Sequence, residues 1–138
     1  MTILVDSSVW SLAFRRASGS LGPEDARLVD ELRNLVRSGR AVMLGVVRQE
    51  TLSGIRDTTK FEKLREDLRS FDDCELALED YETAALAFNT CRAHGVSGSV
   101  VDMLICGVAM RRGWSIFSSD PDFRNYAKWL PLQLHESG

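Results

Sequence analysis

The chain has few of the residues that build cross-links or soft-metal sites. Its 138 residues include three cysteines, Cys74, Cys91 and Cys106, and two histidines, His94 and His135. The cysteines are odd in number, widely spaced and set among apolar neighbours, with no C-x-x-C pair. They read as small buried hydrophobes in a reducing compartment, and zinc has no ligand set. No apolar stretch approaches the ~20 residues of a membrane span. The opening residues lack the charged-then-apolar layout of a secretory signal, so the expected location is the cytoplasm, with no membrane partner. Repeats and low-complexity segments are also missing, and no linker divides the chain; the expectation is one domain over 1–138. Net charge is only −3, and a few carboxylates committed to a cation would leave the remaining surface near neutral. The overall balance therefore neither excludes nor favours a nucleic-acid partner.

What is present is an alternation of short apolar runs and amphipathic stretches. Residues 2–5 form a β-branched run suited to a strand covered on both faces. Ser7 and Ser8 can cap a helix bearing Val9, Trp10, Ala13 and Phe14, and Ala17–Gly22 reads as a flexible loop. Pro23-Glu24-Asp25 starts a helix that Gly39 can end. Further strands are expected at 41–44, 74–78, 114–117 and 132–134. Helices are expected at 46–54, 59–70, 79–93 and 99–112, the last ended by Gly113. Strands alternating with helices predict a three-layer α/β/α fold with a mostly parallel central sheet.

Several acids interrupt this pattern at informative places. Asp6 ends the first strand, where an open parallel sheet exposes its ligand crevice, although an acid there also suits a helix cap. Glu50 is early in a helix after a strand, where a surface acid favoured by the helix dipole would serve equally. Asp102 interrupts the apolar helix V-V-D-M-L-I-C-G-V-A, either capping its first turn or facing a polar pocket. Ser118-Ser119-Asp120-Pro121-Asp122 follows a late strand and reads equally as an ordinary turn or an oxygen-rich metal corner.

Taken in order, I-L-V-D-S-S-V-W, G-V-V-R-Q-E-T-L-S-G, V-V-D-M-L-I-C-G-V-A and I-F-S-S-D-P-D-F resemble the motifs of PIN-domain ribonucleases. Within that group they resemble the VapC toxins of toxin–antitoxin pairs, and the resemblance covers essentially the full length. It implies a PIN-like fold and an RNA-cleaving endoribonuclease, with Asp6, Glu50, Asp102 and Asp120 as catalytic acids. Asp6, Asp102 and Asp120 would hold the metal, with Asp122 and the Ser118 hydroxyl as auxiliaries. It further implies a homodimer neutralised by a small antitoxin. Two positions depart from the family pattern: threonine is common at 118 and alanine at 107.

Carboxylates ~4 Å apart repel by on the order of 4 kcal/mol at an effective dielectric near 20. A hard cation, Mg²⁺ or Mn²⁺, removes that penalty and accepts oxygen ligands. Arg15, Arg16 and Arg48 are candidate RNA contacts. The Arg56–Arg69 stretch interleaves its cations with acids and reads first as a solvated face. Trp10 reads as core before base-stacking platform. The competing function is a non-catalytic PIN-like module that binds RNA or protein during RNA processing; loss of the acids would mark that class, and all are present.

Overall fold

The computed structural model describes residues 1–14 and 21–136; Arg15, Arg16 and loop residues 17–20 lie outside the described residues. The elements run β1 (Ile3–Val5), α1 (Ser7–Phe14), α2 (Pro23–Arg37), β2 (Ala41–Val42), α3 (Gly45–Leu52) and α4 (Thr58–Leu68). They continue with α5 (Leu78–Ala93), α6 (Val100–Arg112), β3 (Ser115–Phe117), α7 (Asp122–Tyr126) and β4 (Gln133–Leu134). The four strands form one sheet in the order β2-β1-β3-β4, and every pairing is parallel. This is the expected α/β architecture, with a sheet that is wholly parallel over the described residues.

The order has a direct consequence. From β1 the chain crosses to β2 on one side and returns to β3 on the other, so the direction of winding reverses between β1 and β3. That seam is where an open α/β sheet leaves a crevice beyond its strand ends. The Asp6 amide donates to the Phe117 carbonyl (2.9 Å), joining the two strand ends at the seam. Ile3, Leu4 and Val5 are all fully buried, as the unbroken apolar run requires.

α6 lies against β3, and α5 packs along α6. Their close approach explains Gly107: a Cβ there would sit 2.6 Å from the Ala84 nitrogen and 2.8 Å from its Cα. Gly113, with φ +69°, ends α6 in the left-handed conformation that glycine adopts without penalty. Trp10 is fully buried; its indole donates to the Val5 carbonyl (3.2 Å) and its ring packs on Phe71 and Phe14. It is a core residue, as its apolar helix face suggested.

The strand expected at 74–78 is reduced to one bridge, Met43 to Asp73, with the Cys74 amide donating to the Met43 carbonyl (2.8 Å). Beyond it the backbone is claimed by other partners. Arg112 donates to the Glu75 carbonyl (2.8 Å) and to the Cys74 sulfur (3.1 Å), and the Ala77 amide donates to Asp80 (2.8 Å). The chain thus leaves the sheet edge to start α5. Asp80 is fully buried and pairs with Arg112 (2.7 Å) and Arg111 (3.3 Å). Burial raises its pKa, but the Arg112 hydrogen bond, the Ala77 amide and both guanidinium charges outweigh burial and hold the carboxyl below its usual range. Among the described residues no helix is long and apolar enough to cross a membrane.

Two predictions arise from the α5–α6 contact. Gly107→Ala is expected to lower stability in urea denaturation by about 1–3 kcal/mol, because the methyl group meets the Ala84 backbone. An unchanged midpoint would show that the two helices part at no cost. Asp80→Asn is expected to destabilise by about 2–4 kcal/mol at neutral pH by leaving two guanidiniums without their shared anion. A carboxyl whose folded pKa is depressed adds stability that is complete above about pH 4 and is lost as pH falls through the folded value. Thermal melts of the variant between pH 5 and pH 3 should therefore decline less steeply than those of the parent chain.

Candidate metal centre

Four separate segments bring acids to the seam. Asp6 ends β1 and is 3% exposed. It holds the cap position of α1, but its side chain reaches the Ser8 amide only at 3.4 Å. Its shorter bonds come from two hydroxyls, Ser8 Oγ (2.8 Å) and Ser118 Oγ (2.8 Å). The same Ser118 oxygen accepts from the Asp120 amide (3.0 Å), and Ser8 Oγ accepts from the Ser119 amide (3.0 Å). These two serines stitch the β1 end to the β3 end and fix the direction of the Asp6 carboxylate.

Asp102 is not needed to cap α6. Ser99 does that, accepting from the Asp102 amide (3.0 Å) and leaving the carboxylate free to face the seam. Tyr126 of α7 donates its hydroxyl to Asp102 Oδ2 (2.6 Å). After β3 the Asp122 amide donates to Asp120 Oδ1 (2.9 Å), so the turn expected at 118–122 is real. It also delivers acids: one carboxylate oxygen from each of Asp102, Asp120 and Asp122 lies within 4.8 Å of the other two. Glu50, exposed on α3, accepts from the Ser7 hydroxyl (2.5 Å).

The electrostatics reflect this crowding. Burial, together with the charges of Asp6, Asp120 and Glu50, pushes the Asp102 carboxyl above its ordinary value against the lowering effect of the Tyr126 hydrogen bond. Burial and the bond to Asp102 push the Tyr126 hydroxyl far upward, so it stays protonated and keeps donating. Burial does the same to Cys106, helped by the charges of Asp102 and Asp6. That sulfur is an uncharged filler behind the acids. An all-oxygen set of repelling carboxylates and hydroxyls suits a hard divalent cation and offers nothing to a thiophilic one. Asp102, Asp120 and Asp122 are the residues best placed to hold it.

Arg48, a candidate RNA contact, makes intramolecular bonds. Its guanidinium donates to Asp73 (2.9 Å), to the Leu68 carbonyl (2.8 Å) and to the Phe71 carbonyl, tying α3 to the end of α4. Sequence reasoning missed Ser8 and Tyr126. Ser8 stands inside the first motif but reads as a helix cap. Tyr126 has no motif around it, because it reaches Asp102 only through the short helix α7, which the sequence pattern did not announce.

The PIN domain family matches residues 3–128. The VapC ribonuclease Mb1587 of Mycobacterium bovis is 31% identical over 135 residues, covering 95% of this chain and 96% of the relative. Ribonuclease VapC11 of Mycobacterium tuberculosis matches equally. Among solved structures, FitAcB from Neisseria gonorrhoeae superposes with a TM-score of 0.75 at 17% identity, over 99% of this chain and 98% of that one. VapBC2 from Rickettsia felis, bound to a DNA fragment from their promoter, gives 0.70 at 10% identity, over 98% of each chain. These two likenesses concern the fold. With acids from four segments at the seam, a matching family over most of the chain and relatives aligned nearly end to end, this chain belongs to the PIN-domain family and, within it, to the VapC ribonucleases.

Proposed function

We propose that the chain is a Mg²⁺- or Mn²⁺-dependent endoribonuclease that cleaves RNA phosphodiesters as the toxin of a toxin–antitoxin pair. The observation that carries this reading is the meeting of Asp102, Asp120 and Asp122 within 4.8 Å at the sheet's winding reversal. A cation seated among them would relieve their repulsion. The relatives named as ribonucleases support RNA as the substrate.

Asp102, Asp120 and Asp122 would hold the ion; Asp6, expected from the sequence as a ligand, stands outside that close group, its Oδ2 accepting from Ser8 and Ser118. When bound, the ion supplies positive charge that acidifies water and stabilises the departing 3′ oxygen. The protein's own groups do the positioning. Ser118 bridges the Asp6 carboxylate and the Asp120 backbone amide, which fixes the Asp6 side chain against the start of the Asp120 turn. Tyr126 donates to Oδ2 of Asp102 and holds that carboxylate in place. Glu50, oriented by Ser7, is exposed and suited to orient the attacking water and take up its proton.

The partner follows from the same family membership: a small antitoxin that binds a homodimer of this chain and covers the acids. Solved neighbours are assemblies named VapBC and FitAB, which supports a protein partner. A cytoplasmic location goes with an RNA substrate.

Structured RNA incubated with the purified chain should be cut with Mg²⁺ or Mn²⁺ and left intact with EDTA. Asp102→Asn and Asp120→Asn are expected to lower the rate by at least about 100-fold. Ser118→Ala should lower it about 10–100-fold, as loss of a ligand-orienting group does, whereas Ser118→Thr keeps the hydroxyl and most of the rate. Cleavage that persists in EDTA, or in both aspartate variants, sinks the proposal. Expression of the chain alone should arrest growth, and co-expression with the small protein of an adjacent reading frame should restore it and yield a co-purifying complex. Failure of any adjacent product to bind would remove the antitoxin part.

A further inference from the structure

On its Asp122 side the acid cluster borders a groove of about 420 Å³ whose lining includes His94, Asp122, Asn125, Tyr126, Lys128 and Trp129. Its volume is within the range of small-ligand sites. The aromatic pair is its most telling part. The rings of His94 and Trp129 stack with centroids 3.9 Å apart and planes 15° from parallel. Trp129 is 43% exposed and contributes nothing to the hydrophobic core. Its outward part is open to solvent beside the groove, where it offers an aromatic face.

The platform is also anchored. The His94 ring nitrogen Nδ1 hydrogen-bonds with the Thr90 carbonyl (2.9 Å) at the end of α5. The Trp129 amide donates to the Tyr126 carbonyl (3.0 Å) just after α7. Two separate segments therefore meet to build one rigid aromatic surface. Beside it Lys128 is exposed and makes no ion pair among the described residues, and the exposed Asn125 offers a carboxamide. Asp122 belongs to both places: it lines the groove and shares the cluster with Asp102 and Asp120.

We propose that this groove is a subsite for one unpaired nucleotide beside the scissile phosphate, its base stacked on the His94–Trp129 pair and its phosphate met by Lys128. The proposal rests on the ribonuclease reading above and deepens it by naming where the substrate is held. Single-stranded RNA offers splayed bases that stack on aromatic faces, and every base has such a face. Lysine supplies the compact charge a backbone phosphate needs. Asn125 can hydrogen-bond a base edge, which gives the groove a means of preferring one base over another. A duplex keeps its bases inside, so the subsite directs cleavage to loops and strand ends.

The test compares Trp129→Phe, Trp129→Leu and Lys128→Ala with the parent chain on one cleaved RNA under Mg²⁺, with thermal melts alongside. Trp129→Phe keeps a smaller stacking face and should raise KM less than Trp129→Leu does. Trp129→Leu keeps apolar bulk without that face and should raise KM by on the order of tenfold with kcat little changed. Lys128→Ala should raise KM and flatten its salt dependence. In a second arm, a mixed-sequence single-stranded oligoribonucleotide is titrated into the Asp102→Asn chain and tryptophan fluorescence is followed. Quenching lost in the Trp129→Leu, Asp102→Asn double variant supports the subsite. If phenylalanine and leucine variants cleave with the same KM as the parent, the subsite is wrong while the nuclease stands. If the parent chain neither cleaves nor binds RNA, both fall together.

Discussion

The repulsion among carboxylates at one seam of the sheet is the constraint around which this molecule is organised. Burial and three neighbouring negative charges act on Asp102 at once, and polar donors offset part of that cost by holding one oxygen of the carboxylate. Here the donors are uncharged: the hydroxyls of Ser8 and Ser118 on Asp6, of Ser7 on Glu50, and of Tyr126 on Asp102. Hydroxyl donors orient an acid without neutralising it. The negative potential is thereby preserved for a cation, which an arginine at any of these bonds would have cancelled.

Arginine is used elsewhere, as a clamp. Arg48 ties α3 to the segment after α4, and Arg111 with Arg112 holds the buried Asp80 at the start of α5. Both clamps act on the scaffold behind the site. α6 carries Asp102 at its first turn and Arg111 and Arg112 at its last, so the second clamp and the acid share one helix. Gly107, midway along it, lets α5 approach closely enough for the Asp80 pairs to form. The positions of the acids thus depend on packing several turns from the chemistry.

Much of the site was legible because its residues violate local rules. Asp6 at the end of a wholly apolar strand and Asp102 inside an apolar helix are placements that burial alone would not select. Other parts were hidden because they obey local rules. Ser8 looks like a helix cap, and 118–122 looks like a turn and is one. The residues 74–78 carry an apolar pattern suited to a strand, but Arg112 takes the Glu75 carbonyl that a ladder would have used. Arg48 is one cation among many in its region, and only its three inward bonds separate it from the exposed ones.

The sequence by itself determined the class of fold, the order of the elements and which acids stand at strand ends, because hydrophobic periodicity and chain-breaking residues act over short distances. Only the tertiary structure decided which acids meet, since convergence depends on the β2-β1-β3-β4 order that brings residues more than a hundred positions apart to one seam. It also decided that Tyr126 serves Asp102 and that His94 reaches Trp129. Such contacts join segments whose separation along the chain carries no periodic signal, and they form only when helix packing fixes both ends.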